Sequence, residues 1–182
     1  VCVPSEALPA LWADLQTQGS PESLQQWIAT NIIAKYTDST RATADFDVRD
    51  YTAFGLGTVS SIVAALEASG TKPARAMAAT LRHRSPLMLH VVLEQVRRAR
   101  NMTLADDLRM ERDLVQHCFY TAHLERSGHA SETVEGIRAL AIDKDYKPVW
   151  NPARLDHVTA AMVEPFFVSP WSAATHPLRD LV

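Results

Sequence analysis

Residues 135–152 read EGIRALAIDKDYKPVWNP, and the chain changes character three times within that stretch. Glu135 to Ile142 carries a helical pattern. Asp143-Lys144-Asp145 is a charged break, and Pro148-Val149-Trp150-Asn151-Pro152 cannot continue a helix, because each proline lacks an amide donor and restricts the residue before it. The stretch predicts a short helix delivered into a proline-fixed turn, with Trp150 anchoring the last helix to the rest of the domain.

Working upstream, Ser131 starts the short helix and Gly128 breaks the one before it. That longer helix is capped by Thr103, with Asp106 favouring its N-terminal amides and an apolar set of Leu104, Leu108, Leu114, Val115, Cys118, Phe119 and Ala122. Ser85-Pro86 is a cap-then-proline start for a stripe of Leu89, Val92, Leu93 and Val96 that ends among Arg97, Arg98 and Arg100. Thr58 caps a helix carrying Val59, Ile62, Val63 and Leu66, closed by Gly70, and Pro73 opens another with Met77, Ala78 and Leu81 inward. The first helix is expected to start at Ser5 and the second at Ser20-Pro21, with Leu24, Trp27, Ile28 and the 31–34 region buried in the second. Residues 37–45, TDSTRATAD, have almost no apolar content and read as a flexible loop leading into Phe46, Val48, Tyr51 and Phe54. Downstream, residues 153–167 hold one more short helix and 168–182 form a proline-interrupted tail. No segment shows strand alternation, so the expected fold class is all-α with short connections.

A chain of 182 residues that is 47% hydrophobic can bury a proper core. With 21% charged residues and a net charge of −3, it has no global pull toward nucleic acid or membrane. Cys2 and Cys118 match no metal spacing and fit a reducing compartment. No apolar run approaches a bilayer span, and the chain reads as soluble. The start at Val1 in Val-Cys-Val-Pro, an extended apolar segment, favours a piece of something longer.

Familiar catalytic patterns are absent. There is no G-x-S-x-G, and Gly55-Leu56-Gly57 lacks the third glycine and the preceding strand of a dinucleotide fingerprint. His117, His123 and His129 recur every six residues, a spacing that does not return to one helix face, so they read as surface or locally satisfied rather than as metal ligands. Glu111 falls on the stripe of Leu104, Leu108 and Val115, which turns its carboxylate inward; such a group is a structural acid or a catalytic one, the structural reading being favoured. Arg82, His83 and Arg84 bracket a helix start and Arg97, Arg98 and Arg100 crowd its end, where the helix dipole favours them; the functional alternative is attraction of the phosphates of a nucleotide-containing cofactor or of RNA. Lys144 between Asp143 and Asp145 reads first as a surface ion pair.

Three successive pieces line up with one family. Ser85-Pro86-Leu87-Met88-Leu89, then Leu104 to Glu111 running to Cys118, then Glu135-Gly136-Ile137-Arg138-Ala139 through Asp143-Lys144-Asp145 and Pro148-Val149-Trp150 resemble the C-terminal region of 3-hydroxyisobutyryl-CoA hydrolases, in the enoyl-CoA hydratase/isomerase (crotonase) superfamily. The E-G-x-x-A element is shared across the superfamily, whereas I-D-K-D with P-x-W marks the hydrolase branch. The likeness is strongest from Ser85 to Pro152; residues 1–84 look like the more variable helices before it, 85–167 like the matching ones. Between Cys118 and Gly136 the chain carries more residues than the family pattern, including 124–133, read as a surface insertion.

The resemblance implies a mitochondrial thioester hydrolase acting on a short 3-hydroxyacyl-CoA of valine breakdown. It implies that this chain is one helical domain, 1–182, from which the β/α spiral core is absent. The oxyanion amides and paired acids would lie upstream, so no catalytic residue and no metal ligand is assigned, and the chain alone is expected to be inactive. Glu111 and Glu135 match helical family positions and read as structural. Lys144 is the candidate contact for CoA, which is the substrate rather than a cofactor. Partners implied are the N-terminal crotonase core of the same protein, acyl-CoA and another copy of the chain. Two alternatives stay open: a non-catalytic assembly subunit such as a mitochondrial ribosome component, where nucleic acid would enter, and an enoyl-CoA hydratase or isomerase.

Overall fold

The computed structural model describes residues 3–28, 30, 31, 35 and 51–181. The expected loop at 37–45, the residues Val1, Cys2, Phe46 and Val48, and positions 32–34 lie outside the described residues. The chain divides into two compact units, residues 1–47 and 48–182.

In the first unit a 3₁₀ turn, Ser5–Ala7, runs into α1 (Leu8–Gln16), and α2 (Pro21–Trp27) follows. Ser5 is not the expected cap: it sits inside the turn, no side chain caps α1, and of the apolar face expected from Leu8, Leu11, Trp12 and Leu15 only Leu11 is buried while Trp12 is exposed. Ser20 does cap α2. Its hydroxyl accepts from the Ser23 amide at 3.1 Å, and the Ser23 hydroxyl accepts from the Ser20 amide at 3.1 Å, a reciprocal capping box.

The second unit opens with a 3₁₀ turn at Ala53–Gly55 and a helical hairpin, α3 (Val59–Ser69) and α4 (Lys72–His83). Thr58 and Ser61 make a second capping box, and Gly70 takes the left-handed conformation, φ 71°, that a glycine adopts without a Cβ clash. Ile62 and Leu66 of α3 meet Ala74 and Ala78 of α4 in one buried cluster, with Leu93 packed against it. The small alanines let the two helices approach closely. Next come α5 (Pro86–Ala99) and α6 (Leu104–Phe119), capped by Ser85 and Thr103, whose hydroxyls accept the Met88 and Asp106 amides at 3.2 Å each. Leu87 and Val91 of α5, Met110 and Leu114 of α6, and Val163 and Phe166 make the second cluster. Phe166 is only 1% exposed, and burying a side chain of that size contributes about 1.5–3 kcal/mol.

Beyond α6 the all-α expectation is corrected. Tyr120–Thr121 (β1) pairs antiparallel with Arg126–Ser127 (β2), Tyr120 opposite Ser127 and Thr121 opposite Arg126. The return runs through a 3₁₀ turn, Ala122–Leu124, and Glu125 at φ 56°. The helix therefore ends at Phe119, well before Gly128. Tyr and Thr suit an extended backbone, and the Thr121 hydroxyl donates to the His117 carbonyl at 2.9 Å, satisfying one acceptor that the helix end leaves open. Strands of two residues are too short to show alternation in a sequence. Residues 124–133 are likewise more than a surface insertion, since they carry β2 and end on buried Ser131 and Glu132.

The last part holds α7 (Glu132–Ile137), which passes directly into a π-helical turn, Arg138–Ile142. The proline-rich turn follows, with a cis Asn151–Pro152 peptide, then Leu155–His157, α8 (Ala160–Val163) and Glu164–Phe167.

Candidate functional site

The stretch 135–152 is organised by one side chain. The Arg138 guanidinium donates from Nε and Nη2 to the two Glu135 oxygens at 2.9 Å each, from Nη1 to Asp145 at 2.8 Å and to Asp143, and from Nη2 to the Lys147 carbonyl at 3.1 Å. Glu135 also accepts the Val149 amide at 2.7 Å, and Asp145 accepts the Lys147 amide at 2.8 Å. These contacts shift Arg138, Glu135 and Asp145 toward their charged forms. Arg138 is held above the usual guanidinium range, first by Glu135. Glu135 is lowered by Arg138 and then by the Val149 amide, and Asp145 by the Lys147 amide and then by Arg138. The hub pins a strained turn in which Lys144 and Tyr146, both with side chains, sit at φ 55° and φ 56°.

Trp150 closes the turn onto the helices. Its indole N–H donates to the His83 carbonyl at the end of α4 at 2.9 Å, and its ring lies against Gly136, where a Cβ would stand 3.3 Å from the ring. The anchor expected for the last helix therefore ties the turn to α4 and α7 instead. Two clefts flank this junction. One, of about 440 Å³, has largely apolar walls that include Ile137, Leu140, Tyr146 and Trp150, with Arg84 at its margin. The other, of about 380 Å³, is lined by Ser60, Arg82, Arg84, Arg154 and Asp156 among others. Arg84 belongs to both.

Beneath the junction lies a buried carboxylate. The Ser85 hydroxyl donates to Glu132, whose other oxygen accepts the Asn151 amide at 2.9 Å. Ser85 simultaneously accepts the Met88 amide as the cap of α5, so its hydroxyl joins the buried carboxylate to the helix start. A second buried group joins α6 to the tail: Asp113 accepts from Ser169 at 3.0 Å and from His176 Nε2 at 3.2 Å, while His176 Nδ1 accepts the Leu178 amide at 3.0 Å. Serine and histidine both point at the carboxylate rather than at each other, which is a clasp and not a nucleophile-base relay. Arg109 completes it by donating to the Leu178 and Leu181 carbonyls. A third cleft, about 460 Å³, lies beside this clasp.

Lys144 is exposed, makes no ion pair among the described residues, and lines none of the three clefts. Glu111 is exposed and accepts from Gln95 at 3.2 Å, so its carboxylate does not turn inward; Asp113, two positions on, is the buried acid of α6. His117 and His123 donate to the Val168 and Met162 carbonyls at 2.8 and 2.9 Å and pack their rings against Phe166. Arg98 binds Glu94 and Glu164 at 2.8 and 2.7 Å, and Arg97 reaches the Gly57 carbonyl. Cys118 is a free thiol whose pKa is pushed up by burial. Among the described residues no hydroxyl or thiol is paired with an imidazole base, no group of side chains could hold a metal, and no helix is long and apolar enough to cross a membrane. The Ser85–Glu132 and Asp113–His176 pairs are separated by 47 and 63 residues, and no local pattern announces them. Only the Glu135–Arg138 spacing of three on a helix was a legible signal.

The family model for enoyl-CoA hydratase/isomerase matches residues 1–167. Among curated proteins, 3-hydroxyisobutyryl-CoA hydrolase 1 of Arabidopsis thaliana is 33% identical over 91% of this chain and 43% of its own length. Mitochondrial 3-hydroxyisobutyryl-CoA hydrolase of Xenopus laevis is 30% identical over 92% of the chain and 42% of its own. Among solved structures, a carnitinyl-CoA dehydratase from Mycobacterium thermoresistibile superposes with a TM-score of 0.59 at 27% identity, covering 91% of this chain and 43% of that one. The chain thus spans less than half the length of the relatives it matches. The likeness to a crotonase-fold enzyme along nearly all of the chain, together with the β1–β2 pair, corrects the expectation of a plain all-α domain without that fold.

Proposed function

Because the chain belongs to the enoyl-CoA hydratase/isomerase family, we propose that it is part of a 3-hydroxyisobutyryl-CoA hydrolase-type enzyme. That enzyme cleaves the thioester of a short 3-hydroxyacyl-CoA in the mitochondrial breakdown of valine. In the reaction a water oxygen bonds to the acyl carbon, the carbon–sulfur bond breaks, and CoA leaves as its thiol. The observation that carries the reading is the run of relatives named as 3-hydroxyisobutyryl-CoA hydrolases, from plant and animal sources, that match along nearly the whole chain. The mitochondrial setting is taken from the names of the animal relatives.

The oxyanion-binding amides and the acids of the hydrolytic step are supplied outside the described residues, and the role of this chain is to cover the acyl-CoA site and pack against the rest of the enzyme. Support for the packing role comes from α5 and α6. Val92 and Val96 on one, and Leu104 and Val115 on the other, are exposed, and the Gln95–Glu111 hydrogen bond joins the two faces. Exposed apolar residues gathered on one face mark an interaction surface. Lys144, free and carried on the rigid turn, is the residue proposed to reach the CoA moiety.

The test is a thioesterase assay that follows free thiol, run on this chain and on the full-length gene product with 3-hydroxyisobutyryl-CoA and with a 2-enoyl-CoA. Thiol release by the full-length product and none by this chain is expected. Release by this chain alone would overturn the placement of the chemistry. Hydration of the enoyl-CoA without thiol release would replace the hydrolase by a hydratase.

A further inference from the structure

The cleft between α3, the end of α4 and the turn at 153–156 is lined by three arginines, Arg82, Arg84 and Arg154, and none of them takes part in the hub of the junction. Each has donors to spare. Arg82 gives Nε and Nη2 to Glu67, and Arg154 gives Nε and Nη2 to Asp156, so in both the carboxylate fixes the plane of the group and leaves Nη1 uncommitted. The Arg84 amide donates to the Leu81 carbonyl at 3.0 Å, and its guanidinium has no hydrogen bond or ion pair among the described residues. The two acids cancel two of the positive charges, and one net positive charge stays at the cleft. The Ser60 hydroxyl adds a further donor to the lining. A planar guanidinium presents its N–H groups in a fork that suits phosphate oxygens, and pinned forks lose less freedom on binding than loose ones.

Arg84 is shared with the neighbouring cleft of about 440 Å³, whose walls include the Tyr146 and Trp150 rings. Each volume lies within the range of about 300–1,000 Å³ usual for small-molecule sites. We propose that the two clefts form one site for an organic phosphate: the phosphoryl group is held by Arg82, Arg84 and Arg154, and the apolar or aromatic body of the same molecule lies against Tyr146 and Trp150. The acyl-CoA reading makes CoA one carrier of such a group, and only that choice of carrier rests on it.

The test is isothermal titration of the 182-residue chain with inorganic phosphate, adenosine 3′,5′-bisphosphate and CoA. The variants are Arg84→Gln and Arg154→Gln, with Arg75→Gln as a control that removes the same charge from an exposed position of α4 outside both clefts. Either organic phosphate is expected to bind at least about tenfold more tightly than inorganic phosphate. Arg84→Gln and Arg154→Gln should each weaken it by about tenfold, the loss of one charge-assisted hydrogen bond, while Arg75→Gln stays within about twofold. Equal binding of inorganic phosphate, or an equal loss in the control, overturns the site. Binding of the bisphosphate but not of CoA supports the site and removes CoA as its carrier. Since no turnover is read, the thioesterase result and this one fail independently.

Discussion

Gly136 shows how much one hydrogen atom decides. It lies in α7 facing Trp150, and a Cβ would stand 3.3 Å from a ring whose N–H is fixed to the His83 carbonyl. Alanine is worth up to about 1 kcal/mol over glycine inside a helix. Overpacking against a side chain that cannot swing away costs about 1–3 kcal/mol. Gly136→Ala should therefore be net destabilising by roughly 1 kcal/mol, read as a lower melting temperature together with a shift in Trp150 fluorescence. A stabilised variant would show that the ring has room to give. The same scale explains why Glu132 and Asp113 are tolerated inside the protein. Each accepts two hydrogen bonds, and a buried acceptor left unpaired costs about 1–3 kcal/mol.

At the scale of elements, α6 presents two apolar faces. Leu104, Leu108 and Val115 form the stripe that the sequence pattern selects, yet Leu104 is 74% and Val115 54% exposed. Met110, Asp113 and Leu114 face the core, and of these only Leu114 belonged to the expected apolar set. Both faces keep helical spacing, so periodicity alone does not rank them. In α5 the expected stripe of Leu89, Val92, Leu93 and Val96 is split: Leu93 packs against the first cluster and Val92 and Val96 are exposed, while Leu87 and Val91 are buried. Leu114→Ala should cost about 2–5 kcal/mol as a core truncation, whereas Val115→Ser should stay within about 0.5 kcal/mol, both measured by chemical denaturation of this chain. A Val115 variant as damaging as the Leu114 one would mean that the helix is rotated from the orientation described. Five caps were legible residue by residue, whereas Ser5 caps nothing and Thr71, one residue before α4, caps the helix that the sequence pattern opens at Pro73. Ser20, Thr58, Ser85, Thr103 and Ser131 all receive the amide three positions on, because capping depends on neighbours in sequence alone.

For the whole molecule, the carboxylates that organise the second unit make its stability depend on pH. Glu135, Asp145 and Asp156 are all lowered in the folded state, Asp156 to about 2. The unfolded chain therefore binds more protons than the folded one in acid. The stabilisation is complete above the unfolded values, 4.5 for Glu and 3.8 for Asp, and is lost as pH falls through the folded ones. The melting temperature should fall between about pH 5 and pH 2, and Asp156→Asn should flatten the lowest part of that decline. These groups are open to solvent, so about 1 M salt should blunt the effect. A melting temperature that holds or rises on acidification would show that the ion pairs around Arg138 and Arg154 contribute nothing.

The sequence by itself determined what depends on neighbours along the chain: the five helix starts at Ser20, Thr58, Ser85, Thr103 and Ser131, the left-handed stop at Gly70, the proline-fixed turn after Ile142, and the motifs that identify the family. Tertiary structure alone decided which of two apolar faces on α5 and α6 is core, that Tyr120–Thr121 leaves the helix to pair with Arg126–Ser127, and which acids are buried. It also decided that Arg82, Arg84 and Arg154 share a cleft. The reason is physical. Capping and backbone conformation are set within about four residues, whereas burial and side-chain pairing join positions such as 85 with 132 or 113 with 176, whose proximity exists only once the chain has folded.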